Sequence, residues 1–284
     1  MLKQRVITAI VLLAILLPAL FWHSPQPLIL VAMVLVGAAA WEFARLNNCR
    51  PVAAVSLGAL CVAACAVTWA IGWTQRPLPM LWILVGGAWV LAGGLLLRLG
   101  VRGWPGIPRR VRLAGGVAAL WLAWLAVAQA RVAGVNFLLS VLVLVWVADI
   151  GAYFAGRTFG LKFTRNKLAP GISPGKSWEG VWGGMLGVLL LALGWIAGDR
   201  QWDAAVPSLY SRLASVGWWL VVAGCVFLVA MSVVGDLVES LVKRSAGAKD
   251  SSNLLPGHGG VLDRVDALLP TLPLAMMLAS LASP

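Results

Sequence analysis

Residues 216–238 read VGWWLVVAGCVFLVAMSVVGDLV, and the only charged side chain in this run belongs to Asp236. A helix of about 20 apolar residues is long enough to cross the hydrocarbon core of a bilayer. Similar runs recur along the whole chain, in which 61% of residues are hydrophobic and 11% are charged. Soluble domains carry about a quarter charged residues. The sequence therefore predicts an integral membrane protein and excludes an ordinary soluble domain.

The apolar runs predict an all-α, polytopic membrane helix bundle of about nine transmembrane helices. Paired glycines inside several runs suit close helix packing in lipid. No linker is long enough to separate two domains, so we expect a single membrane domain over residues 1–284. The predicted spans are 6–22, 27–44, 52–73, 78–97, 113–130, 133–154, 179–198, 216–238 and 264–282.

The distribution of lysine and arginine predicts the orientation, because cytoplasmic loops carry an excess of both residues. With a cytoplasmic N-terminus, only four of the 22 fall outside, namely Arg76, Arg131, Arg200 and Arg212. We therefore predict an N-in, C-out topology in the inner (cytoplasmic) membrane. This topology puts the charged loops 155–178 and 239–263 at the cytoplasmic face. The excess of lysine and arginine in the cytoplasmic loops accounts for the net charge of +12.

Five of the ten carboxylates lie between Gly235 and Asp266, at the end of the eighth span and the start of the ninth. Ionisable groups in hydrocarbon cost a few kcal/mol each, so such a group of residues indicates that something charged is bound. Interhelical salt bridges are the simpler alternative. The helical positions i, i+3, i+4 and i+7 belong to Asp236, Glu239, Ser240 and Lys243, which should line one face.

Asp263 and Asp266 are also three residues apart, and they open the ninth span. Two carboxylate pairs on helices that are joined by a glycine-containing loop can converge on one hard cation. We therefore predict a Mg²⁺ site, with room for a second, monovalent cation. Its predicted ligands are Asp236, Glu239, Asp263 and Asp266.

A second group of polar residues runs from Asp149 to Glu179. Asp149 lies near the inner end of the sixth span, with Arg157 two turns later. Ser177 is a plausible N-cap of the seventh helix. On its own, this stretch is equally consistent with a capped helix start after a solvated basic loop. Elsewhere, Glu42 is three residues from Arg45, which permits an ion pair, and its relation to the site stays open.

Both groups of residues resemble the phosphatidate cytidylyltransferase (CDP-diacylglycerol synthase) family. Residues 240–266 carry its signature, in SLVKR, KD, PGHGG and DRVD. Residues 149–157, DIGAYFAGR, resemble the D-x-x-A-Y-x-x-G motif, and residues 173–180, SPGKSWEG, are similar to S-P-K-K-T-x-E-G. Gly175 and Ser177 replace the usual lysine and threonine. Serine keeps the hydroxyl, whereas the missing lysine leaves any phosphate role to Lys176.

The resemblance implies transfer of CMP from CTP to phosphatidic acid, giving CDP-diacylglycerol and pyrophosphate for phospholipid synthesis. Residues 1–130 are then the N-terminal spans and residues 131–284 the catalytic half. The expected partners are both substrates and the bilayer, without nucleic acid, and a homodimer is a further expectation. The implied catalytic residues are Asp236, Lys243, Arg244, Asp263, Arg264 and Asp266. The implied substrate-binding residues are Asp149, Arg157, Ser173, Lys176, Ser177, Lys249, Asp250, His258, Gly259 and Gly260.

Two other functions fit parts of the pattern. A CTP-dependent polyprenol or phytol kinase would share the metal and nucleotide site but would accept a lipid alcohol. An ion-coupled transporter would also carry acids within its spans. The acids of this chain lie at the ends of spans among many cations, which argues against transport.

Overall fold

The computed structural model describes residues 2–282, with side chains from residue 4 onward; residues 1, 283 and 284 of the predicted domain lie outside the described residues. The described chain is helical, without a β-strand. Its helices are α1 (Leu2–Phe21), α2 (Gln26–Leu46), α3 (Pro51–Ala70), α4 (Pro79–Gly103), a 3₁₀ helix (Trp104–Gly106), α5 (Arg109–Ala133), α6 (Val135–Phe159), α7 (Trp178–Gln201), α8 (Leu209–Val216), α9 (Trp218–Ser245), α10 (Leu262–Val265) and α11 (Leu268–Leu281).

Nine segments of the described chain are long and apolar enough to cross a membrane, which confirms the predicted fold class. The ninth consists of α10 and α11 together. Helix α8 was not predicted. It is only eight residues long and begins after Ser208, whose hydroxyl accepts a hydrogen bond from Ser211 N at 3.2 Å. Gly217, with φ 158°, separates α8 from α9.

Long-range hydrogen bonds mark the two ends of the bundle. At one end, the Arg5 guanidinium donates to the Gly257 carbonyl at 3.0 Å, close to the loop between α9 and α10. We call this the site end. At the opposite end, the Arg131 guanidinium donates to the Leu20 carbonyl at 3.0 Å, and Asn136 donates to the Asp199 carboxylate at 2.8 Å. The helices therefore run back and forth between these ends.

Helices α6 and α7 are in direct backbone contact. A Cβ atom added to Gly184 would lie 2.8 Å from the Ala148 carbonyl oxygen, and one added to Gly151 would lie 2.9 Å from that of Gly183. Only residues without larger side chains permit this approach, as in other membrane helix pairs. The contact fixes the two helices that carry the second group of polar residues.

The centre of the bundle is formed by α2, α9 and the α10–α11 segment, of which half or more is buried. In contrast, α1 exposes most of its apolar side chains, as expected for a lipid-facing helix. Two carboxylates at the site end, Glu42 on α2 and Glu239 on α9, are therefore buried within the bundle.

Candidate active site

The two groups of polar residues meet between α7 and α9. Lys176 Nζ, just before α7, lies 2.5 Å from Asp236 Oδ2 on α9. Ser177 caps α7, because its hydroxyl accepts a hydrogen bond from Gly180 N at 3.2 Å. This confirms the predicted N-cap and explains how Lys176 is directed toward α9.

A cavity of about 430 Å³ opens beside this ion pair, between α6, α7 and α9. Asp149 and Arg157 of α6 line it together with Lys176, Ser177 and Asp236. The Arg157 guanidinium donates to the Tyr153 hydroxyl at 2.8 Å. The rest of the wall is apolar or glycine, including Val229 and Val233. A cavity with this lining suits a molecule that has both an anionic and an apolar part.

Lys243 forms the second link within the site. Its ammonium group lies 2.6 Å from Glu239 Oε2, one helical turn away, and 2.6 Å from Asp263 Oδ1 on α10. Ser240 Oγ lies 3.3 Å from Asp236 Oδ1. The polar face predicted from the spacing of these α9 residues is thus present.

The Asp263 carboxylate also holds the loop between α9 and α10. Its Oδ2 atom accepts hydrogen bonds from Gly260 N at 2.7 Å, Ser251 Oγ at 2.8 Å and Ser251 N at 2.9 Å. With Lys243 on Oδ1, both oxygens of Asp263 have partners. Asp263 therefore anchors the loop as well as contributing charge to the site.

The backbone of Asp266 packs against Gly235 of α9. A Cβ atom on Gly235 would lie 2.5 Å from the Asp266 carbonyl oxygen, so the missing side chain permits the contact. The contact places Asp266 beside the residue that directly precedes Asp236. Beside them, Glu239 Oε1 is buried without a hydrogen-bond partner among the described residues.

The loop itself turns tightly at Gly257 and Gly259, whose φ values are 77° and 84°. Leu255 N donates to the Gly259 carbonyl at 2.8 Å. Arg264 donates to the His258 carbonyl at 2.6 Å, and Arg244 to the Ala248 carbonyl at 3.1 Å. Both arginines of the implied catalytic set thus contact loop backbone. Lys249 and Asp250 are exposed beside them.

The basic loop before α7 is fixed by Glu179. Its Oε1 atom accepts from Thr164 N at 2.7 Å, Thr164 Oγ1 at 2.8 Å and Phe163 N at 3.1 Å. Ser173 N donates to the Ala169 carbonyl at 2.8 Å, which closes the turn that contains Ser173.

Residues 3–282 match the sequence model of the cytidylyltransferase family. The chain belongs to this family. It is 41% identical to the phosphatidate cytidylyltransferase of Pseudomonas aeruginosa, over 96% of this chain and 95% of the relative. The enzyme of the same name from Haemophilus influenzae is 35% identical over 96% of each chain. That of Brucella suis is 34% identical over 94% of this chain and 89% of the relative.

The family assignment confirms the resemblance seen in the motifs, whereas the Mg²⁺ site stays a prediction. Across the described part of the chain, no three Asp, Glu, His or Cys side chains are grouped so that they could hold a metal ion. Asp236 and Asp263 instead have lysine partners.

The suggested ion pair between Glu42 and Arg45 is wrong. The Arg45 guanidinium lies over the Trp41 ring, 5.1 Å from its centroid. The Glu42 carboxylate accepts hydrogen bonds from the α9–α10 loop and the start of α10, including Ser252 Oγ at 2.5 Å. An acid in an otherwise apolar part of α2 was the only sequence signal for this role.

Proposed function

We propose that the protein transfers CMP from CTP to phosphatidic acid, forming CDP-diacylglycerol and pyrophosphate. Its family, and its similarity to phosphatidate cytidylyltransferases, support this reaction over the lipid kinase and the transporter. The observation that carries the proposal is the Lys176–Asp236 pair beside a cavity that is partly polar and partly apolar. Such a site suits a lipid phosphate and a nucleoside triphosphate together.

In this reaction, an oxygen of the lipid phosphate attacks the α-phosphorus of CTP. The bond from this phosphorus to the oxygen that bridges to the β-phosphate breaks, and pyrophosphate leaves. No side-chain nucleophile is required. The protein must bring two anions together in line, so positioning and charge neutralisation supply most of the catalysis.

Lys176 and Arg157 would bind the phosphate of the lipid at the cavity, because they are its lining cations. The acyl chains would extend along the apolar wall at Val229 and Val233. Lys243, held between Glu239 and Asp263, would neutralise CTP phosphates from the other side of Asp236. The exposed Lys249 would add a cation for the leaving pyrophosphate.

The carboxylates fit a divalent cation such as Mg²⁺, which binds few protein carboxylates and keeps water or phosphate oxygens as its other ligands. The buried, unpartnered Glu239 Oε1 atom supports this fit, as does the close approach of Gly235, which precedes Asp236, to the Asp266 backbone. Asp236 and Asp266 would hold the ion, with Glu239 beside them. When bound, it would neutralise charge on the triphosphate.

The reaction is tested by pyrophosphate release from CTP by purified protein in detergent, with and without phosphatidic acid and Mg²⁺. We expect release that needs both additions, together with a CDP-lipid that retains the α-phosphorus label of CTP. Transfer of the γ-phosphorus label to lipid would instead indicate a kinase. CTP-independent uptake into sealed liposomes would indicate a transporter.

We further propose that the site end faces the cytoplasm in the inner membrane, where CTP is available. The excess of Lys and Arg at that end supports this orientation. The test is a membrane-impermeant thiol reagent on the Lys249→Cys and Asp203→Cys variants, both in a Cys49→Ser background. In spheroplasts, Asp203→Cys should react and Lys249→Cys should not, and the opposite pattern would reverse the topology.

A further inference from the structure

The Glu42 carboxylate is fully buried and accepts hydrogen bonds from residues 252–262. The donors and distances are Ser252 Oγ at 2.5 Å, Leu262 N at 2.7 Å and Val261 N at 3.0 Å, and Ser251 Oγ lies 3.2 Å from the same carboxylate. Glu42 lies more than 200 residues earlier in the chain. It therefore connects α2 to the loop that carries the signature motif.

Two of these donors are backbone amides at the start of α10. The first amides of a helix lack intrahelical partners, and α10 has no side-chain cap from its own N-cap residue. The Glu42 carboxylate supplies the missing acceptor from another helix. Because Leu262 is directly followed by Asp263, fixing these amides also fixes the backbone that carries the Asp263 side chain.

Ser251 provides a second connection from Glu42 to Asp263. Its hydroxyl lies 2.8 Å from Asp263 Oδ2 and 3.2 Å from Glu42 Oε2. A hydroxyl has one proton, and the shorter distance favours donation to Asp263. The Ser251 hydroxyl therefore lies between the carboxylates of Glu42 and Asp263. The space that a Cβ would need at Gly260 is filled by the Ser251 hydroxyl and the Glu42 carboxylate.

The buried charge of Glu42 depends on these donors. A buried carboxylate is costly unless it is paired or hydrogen-bonded. Within residues 4–282, no Lys or Arg forms an ion pair with Glu42. The loop and Glu42 therefore stabilise each other, and loss of the charge should release the loop.

We propose that Glu42 is a positioning residue for cytidylyl transfer. It fixes residues 251–262 and so orients Asp263 toward Lys243, without contacting either substrate. The kcat measurement that tests this inference rests on the proposed function, whereas the measurement of hydrogen–deuterium exchange in the loop does not.

The test compares Glu42→Gln with Asp199→Asn in the full-length protein. Asp199 is a matched control, because its carboxylate also accepts from a backbone amide and a hydroxyl at the start of a helix, Ser208 N at 2.9 Å and Ser211 Oγ at 2.6 Å. It lies at the opposite end of the bundle. Both substitutions remove a charge and keep the shape.

We expect Glu42→Gln to lower kcat by about 10–100-fold, as is typical when the support of a site residue is lost. The KM values for CTP and phosphatidic acid should change by less than about threefold, because no substrate contact is removed. Asp199→Asn should keep the wild-type kcat. Hydrogen–deuterium exchange in residues 251–262 should be faster in Glu42→Gln and unchanged in Asp199→Asn.

A wild-type kcat in Glu42→Gln, or equal losses in both variants, would overturn the proposal. If the wild-type protein forms no CDP-lipid, the proposed function fails, and the exchange data still decide whether Glu42 holds the loop. Should Glu42→Gln not fold, Ser252→Ala removes the 2.5 Å hydrogen bond and keeps the carboxylate. Wild-type kcat and exchange in that variant would also reject the role.

Discussion

Lys176 Nζ lies 2.5 Å from Asp236 Oδ2, and the two residues are 60 positions apart in the sequence. About a quarter of the Lys176 side chain and a third of that of Asp236 are exposed. Both line the cavity. A phosphate that enters can therefore reach the ammonium group directly, and the carboxylate then becomes available to a cation. This pair is the first target for mutation.

Asp236→Asn should lower turnover by about 100-fold or more, because it removes a carboxylate that we propose holds the divalent cation. The asparagine keeps the size of the side chain but loses the charge that faces Lys176 and Asp266. The measurement is CDP-diacylglycerol formation by purified protein at saturating substrates.

Asp203→Asn is the control for this substitution, because Asp203 is an exposed residue between α7 and α8, away from the site end. Its backbone φ of 47° is one that asparagine tolerates. It should keep wild-type turnover. Unchanged turnover in Asp236→Asn would remove Asp236 from the site.

Lys176→Gln should reduce kcat/KM for phosphatidic acid by about 100-fold, since a cation that faces the lipid phosphate is lost. Lys176→Arg should recover part of this loss. Steady-state kinetics in mixed micelles with varied phosphatidic acid measure the effect.

Lys167→Gln tests whether any lysine of the same loop would give this result. Lys167 Nζ donates to the Pro174 carbonyl at 2.6 Å and is exposed, away from the cavity lining. We expect less than a threefold change, as for most surface substitutions. Equal losses in both variants would show that the loop charge matters and the position of Lys176 does not.

Gly260→Ala should reduce both activity and stability. Its methyl group would overlap the Ser251 hydroxyl and the Glu42 carboxylate, and overpacking of this kind costs about 1–3 kcal/mol. Gly171→Ala is the matched control, because nothing lies within 4 Å of its Cβ position. Thermal unfolding and turnover of both variants provide the comparison. Equal behaviour of the two alanines would contradict the packing around Glu42.

Removal of divalent cations should abolish activity, and added Mg²⁺ should restore it. In Asp266→Asn, the Mg²⁺ concentration for half-maximal activity should rise by about tenfold or more, because one carboxylate ligand is lost. Mg²⁺ titrations after chelator treatment and buffer exchange measure this shift. Full activity of the wild-type protein in excess chelator would reject the metal proposal.

Local periodicity predicted those features that depend on neighbours in sequence. Nine spans follow from apolar run length, and the face shared by Asp236 and Lys243 follows from the helical repeat. The N-cap at Ser177 is a similarly local feature. The short helix α8 was missed, because its eight residues carry no membrane-length signal.

Long-range contacts were not predictable from the single sequence. Residues 251–262 bind Glu42 across more than 200 positions, and no local pattern identifies that pairing. Likewise, Glu179 was expected only near a helix start, whereas its carboxylate also fixes the loop at Thr164. The lysine partners of Asp236 and Asp263 depend on how three helices pack.

The backbone contact between α6 and α7 has a mechanical consequence. With glycine against alanine and glycine, no compressible layer of side chains separates the helices, so they form one stiff wall. Asp149 and Lys176 are attached to that wall, whereas Asp236 belongs to α9. The cavity can then widen only if α9 moves relative to the wall. The distance between Lys176 and Asp236 should therefore increase as the cavity opens.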